Sequence, residues 1–136
     1  MKFKIFLFIL MLSVAKVLLA QSNEQLNFTD SKGLKQGLWR KTNELGQLKY
    51  EGAFKDGKPI GHFIYYYAGG QKKAETDYSK NGTLARTILY HEVGGLKAKG
   101  NYINEKKDSI WNFYDEKERL TSIENYKDNK RNGKSS

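Results

Sequence analysis

The feature that most constrains this chain is a period of 24 residues, running without a gap from residue 37 to residue 132. Small residues stand at Gly37, Gly61, Ala85, Ser109 and Gly133. Two places after each small residue come Trp39, Phe63, Thr87 and Trp111, and five places after it come Thr42, Tyr66, Tyr90 and Tyr114. Seventeen places after it stand Phe54, Tyr78, Tyr102 and Tyr126, all aromatic. A unit this short cannot bury an apolar face alone, so successive copies must stack into one continuous array. The four copies occupy 37–60, 61–84, 85–108 and 109–132.

Each copy divides into two strand-like pieces. Leu45-Gly46, Gly69-Gly70 and Val93-Gly94 punctuate the copies internally, and Asp56-Gly57 and Asn81-Gly82 separate them; such dipeptides favour hairpin turns. In "QLKYEGAF", Leu48, Tyr50, Gly52 and Phe54 share one parity while Lys49 and Glu51 take the other. That alternation predicts a half-buried antiparallel strand. The fold class is therefore all-β: an elongated antiparallel meander of eight strands, two per copy, forming a single curled sheet.

Closing each hairpin with a two-residue turn sets Tyr65 opposite Ala74, Phe63 opposite Thr76 and Gly61 opposite Tyr78. It also sets Trp39 opposite Gly52, Leu89 opposite Ala98 and Phe113 opposite Ser122. Large residues meet small ones, which fills one face without crowding and lets rings shield glycine backbone.

Tyr66 has the opposite parity to Tyr65 and Tyr67, so it points to the other face, as do Tyr90 and Tyr114. The same closure places Lys73 opposite Tyr66 and Lys97 opposite Tyr90. Copies lie two strands apart, so these tyrosines recur at about 10 Å. Tyr66, Tyr90, Tyr114, Lys73 and Lys97 form the candidate binding surface. The alternative is that lysine stems cover the tyrosine rings and only stabilise the sheet.

The first twenty residues differ from the rest. A basic start, "MKFK", precedes the apolar run "IFLFILMLSVA", then Lys16 and "VLLA". This layout predicts a secretory signal peptide over 1–20, cut after Ala20, with an uncleaved membrane anchor as the alternative. Residues 21–36 read as a polar linker, and 134–136 as a tail. Loss of Lys2, Lys4 and Lys16 lowers the net charge from +9 to +6. The remaining charges are interleaved, as on a solvated sheet face, and never form a block.

Cysteine is absent, which excludes a disulfide framework and a thiol nucleophile. His62 and His91 are too few for a histidine-based metal site and fall on opposite parities. No nucleotide-binding or hydrolase motif is present. We therefore expect no catalytic residues, no metal and no cofactor. "NFT" at Asn27 and "NGT" at Asn81 match the glycosylation acceptor pattern, but Asn81-Gly82 is better explained as a turn. Aromatics interleaved with lysines can stack bases, yet no clustered basic patch accompanies them, so nucleic acid is an unlikely ligand.

"GHFIYYYAGG" followed by "ETDYSKNG", and "GLWRKTNELGQLKYEGAFKDGK" before it, resemble the MORN-repeat variant of bacterial proteins. The third copy departs from that pattern at Ala85 and Thr87, the fourth at Ser109 and Glu118. The resemblance covers residues 37–133. It implies an elongated sheet of successive hairpins and a binding or scaffolding role without catalysis. Members are often labelled antitoxin components of toxin–antitoxin pairs, which fits an exported chain poorly. The expected function is that of an exported repeat module binding a protein partner through an exposed sheet face. An anionic lipid surface or another polyanion is the alternative ligand.

Overall fold

The computed structural model describes residues 25–133; the export segment read from the sequence lies outside the described residues. All regular structure among them is β. The strands are β1 (Phe28–Thr29), β2 (Lys35–Thr42), β3 (Leu48–Lys55), β4 (Lys58–Tyr66), β5 (Lys72–Ser79), β6 (Leu84–Tyr90), β7 (Leu96–Ile103), β8 (Lys106–Tyr114), β9 (Leu120–Lys127) and β10 (Lys130–Arg131). They form one antiparallel sheet in chain order, a meander with no crossover and no closure of β1 on β10. The eight long strands are the expected ones. Two short edge strands add to them, because Phe28 and Thr29 pair with Gln36 and Lys35, and Lys130 and Arg131 pair with Lys127 and Tyr126. The segment read as a linker thus contributes an edge strand.

The hairpins within copies all close in one way. In the second copy, the Gly70 amide donates to the Tyr67 carbonyl and the Tyr67 amide donates to the Gln71 carbonyl. The same pair of bonds recurs at Asn43–Gln47, His91–Gly95 and Asp115–Arg119. This is a three-residue loop whose last member must be left-handed. Gly46, Gly70, Gly94 and Glu118 fill that position, with φ of 76°, 87°, 97° and 57°. Glycine adopts it without steric cost, and Glu118 does so under strain.

The turns between copies place two left-handed residues in succession, Asp56-Gly57, Asn104-Glu105 and Asp128-Asn129. Two further residues then enter the following strand as a bulge. The register shifts between Glu51 and Ala53 on β3–β4 and between Lys99 and Asn101 on β7–β8. The small residue of the second and of the fourth copy lies in this stretch with positive φ: Gly61 at 66° and Ser109 at 63°. Ala85 does not adopt that conformation, and β5–β6 pairs without a shift. Its two extra residues sit instead in a longer loop between Ser79 and Leu84, where Lys80, Asn81 and Gly82 are left-handed. The period survives because an excess moved from strand to loop leaves the count unchanged.

One face of the sheet carries nearly all the buried apolar surface. Phe63 and Trp111 are its fully buried large side chains, with Ala74, Ala85, Ala98, Thr76 and Thr87 buried beside them. A Cβ placed on Gly52 would lie 2.4 Å from the Phe63 ring, and one on Gly100 would lie 2.3 Å from the Trp111 indole. The ring over Gly52 therefore comes from the next copy, across β3–β4, and not from its hairpin partner Trp39. Phe63 and Trp111 thus each lock onto the copy before them, which helps hold the array together.

Candidate functional site

The aromatic face is not uniform. At the N-terminal end Trp39, Tyr50, Phe54, Phe63, Tyr65 and Tyr78 form a continuous cluster. Phe63 meets Phe54 and Tyr78 edge to face, at centroid separations of 5.2 and 5.0 Å. At the C-terminal end Trp111 meets Tyr102 edge to face at 5.0 Å and stacks on Phe113 at 6.2 Å. Each cluster lies under one ammonium group. Lys35 Nζ stands 4.6 Å from the Trp39 and Phe54 ring centres and donates to the Tyr50 hydroxyl at 2.9 Å. Lys107 Nζ stands 4.7 Å from Trp111 and 5.0 Å from Phe113 and Tyr126. Burial against these rings holds the Lys107 ammonium below the ordinary lysine range.

Between the clusters the stripe of large residues breaks. Thr87 stands where the other copies have Trp39, Phe63 and Trp111, and Thr76 stands where they have Gly52 and Gly100. The capping lysine is missing there too: Pro59 and Thr83 occupy the places equivalent to Lys35 and Lys107. A cleft of about 780 Å³ results, floored by Ala74, Thr76, Ala85 and Thr87 and walled by Tyr65, Tyr78 and Tyr102. Pro59, Thr83, Asn81, Asn104 and Glu105 stand around it. Thr76 Oγ1 and Thr87 Oγ1 bond to each other at 3.1 Å, and Tyr65 Oη bonds to Tyr78 Oη at 2.8 Å. Burial and the Tyr78 hydroxyl raise the Tyr65 phenol far above its usual range. Burial, and then Tyr78 charge, raise Tyr102.

The opposite face is charged, and the sequence-predicted site lies there. Tyr66, Tyr90 and Tyr114 end their strands in equivalent, half-buried positions. The Tyr66 hydroxyl donates to Glu51 at 2.6 Å, and the Tyr90 hydroxyl donates to Glu75 at 3.2 Å. The Glu51 carboxylate pushes the Tyr66 phenol up to about 12. Tyr90 is raised too, first by burial and then by Glu75. In the third copy the acid gives way to a base, and Lys99 Nζ lies 5.8 Å from the Tyr114 ring. Ion pairs surround the row, Arg40 with Glu51 at 3.0 Å and Lys72 with Glu75 at 2.5 Å, and His62 Nδ1 lies 2.8 Å from Asp77 Oδ1. Lys72 is the main cause that holds Glu75 below the usual carboxylate range.

Two expected partners are displaced. Lys72, not Lys73, lies opposite Tyr66, and Leu96, not Lys97, lies opposite Tyr90. The three-residue loop adds a residue that the two-residue closure lacked, and it is absorbed as a bulge. Lys73 and Lys97 are the bulged residues, both exposed, with Lys49 equivalent to them in the first copy. Lys73 Nζ approaches Tyr67, at 5.8 Å from the ring centre, in place of Tyr66. Tyr67 and His91 bind across copies: the Tyr67 hydroxyl donates to the Tyr90 carbonyl at 2.8 Å, and His91 Nε2 lies 3.1 Å from the Tyr114 carbonyl. Sequence reasoning missed the cleft itself. Its signal was present as the departures at Ala85 and Thr87, which read only as a weakened copy.

No family model matches this chain, and neither does any curated protein or solved structure.

Proposed function

We propose that this chain is a non-catalytic binding protein of the cell envelope or exterior, holding a protein partner on the charged face of its sheet. The observation that carries this reading is the anchored tyrosine row. Bonds to Glu51 and Glu75 fix the Tyr66 and Tyr90 rings before any partner arrives. Rings held in place lose little freedom on contact, and tyrosine offers a large rigid surface with a polar tip. Ile88 and Ile110 are exposed on the same face and add apolar contact area. The export signal read over residues 1–20 supports the location, and the MORN-like spacing supports a scaffolding role.

A second reading, attraction to anionic lipid or another polyanion, draws on the exposed row Lys49, Lys73 and Lys97. Ionic strength separates the two. Surface attraction fades between low and physiological salt, whereas a packed protein interface tolerates it. The deciding variant replaces Tyr66, Tyr90 and Tyr114 together by Ala. A pull-down from envelope extract at physiological salt should recover one protein with the unsubstituted chain and lose it with the variant, while the variant keeps its sheet by circular dichroism. A folded variant that captures the same protein equally well would rule the tyrosine row out.

A further inference from the structure

We propose that the cleft between the two aromatic clusters is a second, independent binding site, and that its ligand is a neutral sugar ring of a glycan.

The cleft is a built feature, not one missing side chain. Four departures from the repeat converge on it: Thr87 for an aromatic, Thr76 for a glycine, and Pro59 and Thr83 for capping lysines. A volume of about 780 Å³ lies within the range of small-ligand sites, roughly 300–1,000 Å³.

Its chemistry selects the ligand class. Tyr78 and Tyr102 are the residues whose counterparts flank a ring elsewhere, as Phe54 and Tyr78 flank Phe63. The faces on offer are therefore aromatic and suit a flat, partly apolar body. The floor and mouth are rich in uncommitted hydrogen-bonding groups. Thr76 and Thr87 hold two hydroxyl protons and use one between them, and the Tyr65–Tyr78 pair does the same. Among the described residues, no side-chain bond engages the Tyr102 hydroxyl or the Asn81, Asn104 and Glu105 side chains. A purely apolar occupant would bury those groups without partners, at a cost. An ionised occupant would find no counter-charge on the floor, because the charged lining residues are the exposed Lys58 and Glu105, of opposite sign. A pyranose ring satisfies both demands: one face of C–H bonds for the tyrosines, and an edge of neutral hydroxyls for the threonines and amides.

The test is titration of the full chain with maltotriose, cellotriose and chitotriose, followed by calorimetry and by saturation transfer to the sugar protons. At least one trisaccharide should bind. The double variant Thr76→Gly with Thr87→Trp rebuilds the Gly100–Trp111 arrangement inside the cleft. It should weaken that binding by roughly tenfold or more while melting at or above the unsubstituted chain. Tyr102→Phe removes one hydroxyl and no packing, and should weaken binding in a protein of unchanged fold, which keeps the test decisive if the double variant does not fold. Tyr66→Ala should leave sugar binding untouched, since it lies on the other face. Absence of binding by all three sugars overturns the proposal. So does sugar binding that neither cleft variant reduces. Capture of a tryptophan-tipped peptide by the cleft, with no sugar bound, would assign it to a protein side chain instead.

Discussion

The two ends of the aromatic face solve the same packing problem with different means. The N-terminal cluster joins six rings over copies one and two, while the C-terminal cluster joins Tyr102, Trp111 and Phe113. With fewer rings, the C-terminal end adds ion pairs on buried carboxylates. Lys127 reaches Asp108 at 3.0 Å, and Arg131 reaches Glu124 at 2.5 Å. Glu124 stands at the glycine position of its copy, equivalent to Gly52 and Gly100, which a ring covers elsewhere. One backbone repeat thus accepts either a dry aromatic lock or a satisfied polar one. Thr76 and Thr87, lying between, have only a hydroxyl bond.

The largest expected effect comes from removing the ring at the heart of each cluster. Phe63→Ala and Trp111→Ala should each cost about 3–5 kcal/mol. In a repeat array the loss should fall mainly on the nearer copies. Hydrogen exchange should therefore show N-terminal strands opening in Phe63→Ala and C-terminal strands in Trp111→Ala. Uniform opening of the whole sheet in both variants would break the division into two clusters.

A smaller effect tests the interlock between copies. Gly52→Ala and Gly100→Ala each force a methyl group into a packed ring, and should cost about 1–3 kcal/mol by chemical denaturation. Ala98→Gly, which adds no atom, should not reproduce the ring displacement. A silent Gly100→Ala would mean that the Trp111 indole moves aside freely.

The smallest effect sharpens the contrast through pH. Asp108 is held below the usual carboxylate range chiefly by its bond from Lys127, and Glu124 chiefly by its bond from Tyr126. A carboxylate with a depressed folded-state pKa contributes stability above its unfolded value, about 4. That contribution is lost as pH falls through the lower folded value. Acidification below pH 4 should therefore loosen β8–β10 before the N-terminal cluster, whose rings use no carboxylate partner. Amide spectra recorded on an acid titration would show it, and simultaneous loosening of both ends would contradict it.

Much of this was legible in the residues. The pairs Tyr65–Ala74, Phe63–Thr76, Trp39–Gly52, Leu89–Ala98 and Phe113–Ser122 follow from closing each hairpin at its turn dipeptide and are present in the sheet. The error of one residue at Tyr66 and Tyr90 arose from the turn. A Gly-Gly or Val-Gly dipeptide is compatible with a two- or a three-residue loop, and the bonds from the Tyr67 amide to Gln71 and from the His91 amide to Gly95 distinguish them. The tyrosine row was found, but its bonds to Glu51 and Glu75 were not, because those acids lie on the strand of a neighbouring hairpin.

The period, the strand alternation and the hairpin pairing up to the bulge beside each turn could be read from the residues, since each depends on positions close along the chain. The tertiary structure alone decided what happens between copies. It set whether two surplus residues form a bulge, as at Gly61, or lengthen a loop, as before Ala85. It also set which ring covers which glycine, and so where the missing ring leaves a cleft. Those outcomes depend on side chains that meet across separate hairpins, where excluded volume and hydrogen-bond satisfaction, not local spacing, choose the arrangement.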